Sequence, residues 1–123
     1  MQIRVYYEDT DAGGIVYHTN YIKFCERARS EMFFSRGMVP FDGDKSGFVV
    51  HHIDADFLST ARLGDLLEVQ THIHELKNSS IILLQEVYKE TKKIFSMKIR
   101  LAYLAQGKPS RIPSQFKEIF QAL

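Results

Sequence analysis

One cysteine, Cys25, is all the chain carries, which excludes an internal disulfide. An excess of either charge is missing too. Sixteen Lys and Arg against 15 Asp and Glu leave a net +1, so no global field draws the chain to nucleic acid or to an anionic membrane. No stretch approaches the ~18 consecutive apolar residues of a membrane-spanning helix. The segment Met1 to Glu8 lacks the apolar core of a secretory signal. Together these absences point to the cytoplasm. Internal repeats, low-complexity tracts and linkers are also lacking. What is present is an ordinary globular balance, 45% hydrophobic and 25% charged over 123 residues. That suits one domain, 1–123, with a core of modest thickness.

Hydrophobic spacing supplies the elements. Residues 1–7 read as a strand with Ile3, Val5 and Tyr7 on one face, and 8–18 as a loop. Asn20 to Arg36 reads as a helix, because Tyr21, Phe24, Cys25, Ala28 and Met32 recur at three- and four-residue intervals. Gly37 suits the position just past its end, and Pro40 forbids its continuation. Four strand patterns follow. Gly47 to Phe57 is the first. In Asp65 to Leu76, Leu67, Val69, Thr71 and Ile73 alternate with Glu68, Gln70, His72 and His74. Ser80 to Lys89 opens with the apolar run Ile81 to Leu84. Ile94 to Leu104 alternates Phe95, Met97, Ile99, Leu101 and Tyr103 with Ser96, Lys98 and Arg100. Lys77-Asn78-Ser79 and Glu90-Thr91-Lys92 look like hairpin connections, so the last three strands should form an antiparallel meander. After a loop at 106–113, Ser114 could cap a short helix with the apolar stripe Phe116, Ile119, Phe120 and Leu123. The expectation is an α+β fold, with a five-stranded antiparallel sheet, one long helix and a short terminal one. One helix covers one sheet face only. The other face or an edge is left for solvent or a second subunit.

The most informative stretch runs from Arg4 through Asp11, Gly13 and Gly14 to His18, Asn20 and Tyr21. It leads from a strand, through a carboxylate-bearing turn, into a helix start. A helix N-terminus offers unpaired N–H groups and positive potential. An acid beside such a site suits hydrolysis of an activated acyl group. The bland alternative for Asp11 is a turn aspartate that accepts local N–H groups. Asp9, two residues away, takes a supporting role. The glycines allow a tight turn, and no Lys-Ser or Lys-Thr follows at phosphate-loop spacing. The His18 side chain could polarise a substrate or hold water, or merely flank the helix. Tyr7 could point its hydroxyl towards the Asp11 loop. Cys25 falls on the apolar helix face, where a thiol behaves as a small hydrophobe and not as a nucleophile. His52, Asp54 and Asp56 share a strand face, as do His72 and His74, which raises a metal site. Polar faces of half-exposed strands explain them better, and no metal is expected.

The spacing Arg4-Val5, Thr10-Asp11, Gly14-Ile15, His18 resembles the active-site signature of the 4-hydroxybenzoyl-CoA thioesterase family, which has the hot-dog fold. Asn20-Tyr21 and Glu26-Arg27-Ala28-Arg29 are similar to its Tol-Pal-associated branch, the YbgC-like acyl-CoA thioesterases. Ala61-Arg62-Leu63-Gly64-Asp65 also fits. The likeness spans nearly the whole chain. It implies a sheet wrapped round a central helix, a homodimer or homotetramer with sites at the subunit interface, and a hydrolase needing no cofactor, coenzyme A being part of the substrate. It also implies that Asp11 is the catalytic carboxylate, as nucleophile or as general base, and that the backbone N–H of His18 is the oxyanion donor. In that family a basic cluster holds the coenzyme A phosphates near Lys77, and Lys108 and Arg111 are further candidates. Two rivals share the fold. One acts on acyl groups carried by acyl carrier protein, and the other is a non-catalytic, acyl-binding interaction module of a lipid or envelope complex.

Overall fold

The computed structural model describes residues 1–123. Strand β1 is Gln2–Arg4, α1 is His18–Phe34, and β2 to β5 are Gly47–Phe57, Leu66–Leu76, Ser80–Lys89 and Lys92–Ala105. Strand β6, Lys108–Pro109, and α2, Ser114–Gln121, complete the chain. All strand pairs are antiparallel, in the order β1-β3-β4-β5-β2, with β6 beside β5. The expected meander is β3-β4-β5, and β2 crosses over to pair with β5.

The apolar opening of β4, which has no clear period in sequence, resolves into alternation. Ile81, Leu83, Gln85 and Val87 are buried, whereas Ile82, Leu84 and Glu86 are half-buried on the outer face. In β5 the inward set Phe95, Met97, Ile99, Leu101 and Tyr103 is buried as its alternation requires. These residues meet Tyr21, Phe24, Cys25, Ala28 and Phe33 of α1 in one core. Helix α2 closes one end with an aromatic cluster, in which Phe120 packs on Phe33 and Phe48 at 5.7 and 5.4 Å between ring centroids.

Helix α1 ends as its sequence announces. Gly37 sits at φ 69°, its N–H donates to Phe34 O, and the Met38 N–H donates to Phe33 O, both at 3.0 Å. This is the Schellman pattern, with glycine in the left-handed position.

The structure corrects several boundaries. The first strand stops at Arg4. The Asp9 carboxylate takes the Tyr6 N–H at 2.9 Å, and Tyr7–Asp9 wind into a 3₁₀ turn. Tyr7 therefore does not share a strand face with Ile3 and Val5. Helix α1 is His18–Phe34, so it starts two residues before the expected Asn20 and ends two before the expected Arg36. The sheet has a sixth, two-residue strand inside the expected tail loop. Gln106 and Gly107, at φ 51° and 80°, make the two-residue hairpin turn that permits it. Ser114 is the first residue of α2 and not its cap; Pro113 holds that place with no side-chain hydrogen bond. No helix is long and apolar enough to cross a membrane.

Candidate active site

The carboxylate loop is a tight hairpin standing on α1. The Tyr17 N–H donates to Asp9 O at 2.9 Å, Thr10 bridges Val16, and the Asp11 N–H donates to Ile15 O at 2.9 Å. Asp11 thus occupies the tip, two residues from the rung that touches the helix start, roughly 7 Å at strand rise. Its Oδ1 accepts the Gly13 N–H at 2.8 Å and the Ile15 N–H at 3.4 Å. The carboxylate is exposed, and Oδ2 makes no hydrogen bond within the chain.

A second segment braces this hairpin. The Val16 N–H donates to Ala61 O at 2.9 Å, and Ile15 bridges Arg62. The buried Tyr21 hydroxyl accepts the Ala61 N–H at 3.0 Å, and burial pushes the Tyr21 phenol pKa up. Behind Ala61, Asp65 accepts the Arg62 N–H at 2.8 Å and pairs with Lys89 at 2.9 Å. Burial would raise the Asp65 carboxyl pKa, but the Arg62 N–H and Lys89 hold it below the usual carboxylate value. The motif Ala61 to Asp65 is therefore a clamp on the Asp11 hairpin.

The two acids of the loop part company. Asp9 is only 2% exposed. Its oxygens accept the Tyr6 N–H and the Asn20 side-chain amide, each at 2.9 Å, which ties the 3₁₀ turn to α1. Asp11 alone faces solvent with an unengaged oxygen.

The start of α1 carries no side-chain cap, because Tyr17 stands at the N-cap position, and its first turn holds no acid. The N–H groups of His18 and Thr19 find no acceptor within the chain. The His18 ring is exposed and lies 4.5 Å from that of Tyr17 and 6.0 Å, edge-on, from that of Phe57. Tyr17, Phe57 and Leu58 add exposed apolar surface beside it.

Other sequence candidates fall elsewhere. Tyr7 is 82% exposed in the turn before Asp11, and its hydroxyl makes no hydrogen bond. Lys77 lies in the β3–β4 turn, 3.7 Å from Glu75. The tail docks on that turn through the Ile112 N–H and Asn78 O at 2.8 Å, which brings Arg111 to the same corner, while Lys108 lies exposed on β6. This corner is at the far end of the sheet from Asp11 within one chain. Strand β4 separates them, and its ten residues span roughly 33 Å. Cys25 is buried and its thiol pKa is pushed up to about 12 by burial, which removes the thiolate a nucleophile needs. His51, His52, Asp54 and His74 line an outer-face pocket with Lys98 and Arg100. No three acidic, histidine or cysteine side chains converge there or elsewhere as metal ligands.

Spacing alone marks Tyr21 as core and gives Asn20 and Gln85 no bonding partner. The Asn20-Tyr21 pair stood in the motif, but its duties, holding Asp9 and Ala61, depend on contacts distant in sequence.

The antiparallel sheet wrapped round α1 is shared with known enzymes. The family described as the thioesterase superfamily matches residues 13–95, and the chain belongs to it. Within that family the chain is YbgC-like. It is 41% identical over 134 residues to the acyl-CoA thioesterase YbgC of Helicobacter pylori, covering all of both chains. It is 36% identical to the protein of the same name from Haemophilus influenzae, covering 98% of this chain and 93% of the other. Among solved structures, a probable thioesterase from Bartonella henselae superposes with a TM-score of 0.82 at 33% identity, covering 92% and 97% of the two chains. A gentisyl-coenzyme A thioesterase superposes at 0.85 and 29% identity, covering 98% of each. The fold is the hot-dog fold, and the chain is a thioester hydrolase.

Proposed function

We propose that this enzyme hydrolyses acyl-coenzyme A to a free acid and coenzyme A, with Asp11 as the catalytic carboxylate. One observation carries the reading: an unengaged carboxylate oxygen stands on a hairpin braced against a helix start whose first N–H groups lack acceptors. A thioester carbonyl polarised by the His18 N–H has its developing oxyanion at the positive end of α1, where such a donor is worth about 3 kcal/mol in the transition state. The carbon is then attacked by Asp11 Oδ2, giving an acyl-aspartyl anhydride that water cleaves, or by a water that Asp11 deprotonates. In both routes the thiolate leaves with the C–S electron pair. Rapid-quench trapping separates them, since only the first route leaves an acyl group on Asp11.

The test is Asp11→Asn. Turnover of acyl-CoA should fall by about 10²-fold or more, with the circular dichroism spectrum and melting temperature preserved. Near-wild-type turnover would sink the assignment. The panel should run from short to long acyl chains, include an aryl-CoA, and pair each with the matched acyl-carrier-protein substrate.

The same reading makes the working unit a homodimer in the cytoplasm. Strand β2 is an outer strand with an unpaired edge and exposed Val50, Phe57 and Leu58 beside it. Antiparallel pairing of two β2 edges about a two-fold axis would set the Lys77 and Arg111 corner of one copy towards the Asp11 end of the other. That geometry supports phosphate contacts from the second subunit.

A further inference from the structure

The sheet face turned away from α1 carries a concentration of charge that the hydrolysis does not use. On β5, Lys98 and Arg100 point outward between the buried Met97, Ile99 and Leu101. Across the ladders Arg100 stands opposite His52 of β2 and Ile82 of β4, and Lys98 stands opposite Asp54 and Leu84. The two cations are two residues apart on one strand face, roughly 7 Å, which is close enough to repel each other at physiological salt. Neither forms an ion pair within the chain. Glu75 and Glu86, the acids of the neighbouring strands, are engaged by Lys77 and Lys93.

A bulge flanks this pair on each side. The β2–β5 register slips between Val50 and His52, and the β3–β4 register slips between Ile73 and Glu75. The residues left out of register are His51 and His74. A bulge bends its strand and re-aims a side chain, and both of these imidazoles line one pocket with Lys98 and Arg100. That pocket is about 390 Å³, with Ile82 as its one apolar residue and Asp54 as its one acid. Its size suits a small molecule, and its lining calls for a charged one. Pairing of two β2 edges leaves it open. Edge pairing uses backbone groups in the plane of the sheet, whereas these side chains stand roughly perpendicular to it. Arg100, Ile82 and His74 also lie one, two and three strands in from that edge.

A guanidinium, an ammonium and imidazole N–H groups around one space match the oxygens of a phosphate monoester, which accept several charge-assisted hydrogen bonds at once. Asp54 asks for a different group, because a carboxylate repels phosphate and accepts from hydroxyls. We infer that this outer-face pocket binds a sugar phosphate, with the phosphate on Arg100, Lys98 and the histidines and the sugar hydroxyls on Asp54. The sheet stands between the pocket and α1, so the site is separate from that of the thioester and does not rest on the thioesterase reading.

The full-length protein is titrated calorimetrically with ribose 5-phosphate, ribose and inorganic phosphate. Ribose 5-phosphate should bind at least about tenfold more tightly than ribose, the effect of one hydrogen bond to a charged group. It should also bind more tightly than inorganic phosphate. Arg100→Gln and Lys98→Gln should each weaken it by a similar factor, with KM for acyl-CoA unchanged. Asp54→Ala should shrink its lead over inorganic phosphate. The proposal is overturned if ribose 5-phosphate binds no more tightly than ribose or than inorganic phosphate, or if the two cation variants bind it as the wild type does. A raised KM for acyl-CoA in those variants also overturns it, by giving the pocket to the substrate. Lys98 is exposed, so its variant keeps the test decisive should Arg100→Gln fail to fold.

Discussion

At the scale of single residues, Asp9 and Asp11 carry the same chemical group two positions apart in opposite surroundings. Asp9 is buried with both oxygens engaged, so Asp9→Ala strands the Tyr6 N–H and the Asn20 amide. The expected loss is about 1–3 kcal/mol, chiefly from the buried Asn20 amide left unpaired. It should be read by denaturant unfolding, and activity should fall with it because the hairpin loosens. Asp11→Asn should separate the two readouts, keeping stability and losing turnover. The contrast between a buried and an exposed acid was partly legible, since the motif singled out Asp11 and left Asp9 in a supporting place. That Asp9 reaches Asn20 could not be read from spacing, because nothing in an aspartate distinguishes a helix anchor from a turn acid until the helix is placed. Tyr7 shows the reverse error. Its alternation with Ile3 and Val5 is a true period-2 pattern, but one side-chain hydrogen bond to Tyr6 overrides it.

At the scale of elements, the start of α1 forgoes the stability of a side-chain cap. Ser, Thr, Asp or Asn at an N-cap is worth about 0.5–2 kcal/mol over an apolar residue, and here Tyr17 takes that place. Tyr17→Asp should supply the missing acceptor. We expect an unchanged or higher melting temperature together with a large drop in kcat, because the new carboxylate competes with the oxyanion for the same N–H groups. The clamp strand end gives a pH signature. The folded Asp65 carboxyl pKa is depressed, so its contribution is fully present above the unfolded aspartate pKa of about 3.9 and fades as pH falls through the lower folded value. Asp65→Asn should flatten this part of the acid limb of the stability curve, measured by denaturant midpoints between pH 5 and 2. The strands themselves were largely readable: β2 and β4 have the boundaries their patterns give. The sixth strand was not. Its turn is Gln-Gly, a weaker signal than Asn-Gly, and its two residues are too few for any period.

At the scale of the whole molecule, one chain does not bring Lys77 and Arg111 to Asp11. The Lys77 and Arg111 corner and the Asp11 hairpin lie at opposite ends of the sheet, while β2 offers an open edge between them. Light scattering should therefore report at least two chains per particle. A charge placed at the exposed Val50, as in Val50→Glu, should shift the population towards monomer and lower kcat/KM together. The order in which the sheet is built follows from its topology. The β3-β4-β5 meander closes through local turns, but β2 pairs with partners far along the chain, Gly47 with Leu104 and Ile53 with Ile99. Closing so long a loop costs chain entropy before the contacts repay it. Pairing of β2 is thus the late event in folding, and Ile53→Val should speed unfolding while leaving the folding rate nearly unchanged. The free edge of β2 comes into being only once that step is complete, so pairing of two copies through that edge can only follow the folding of each.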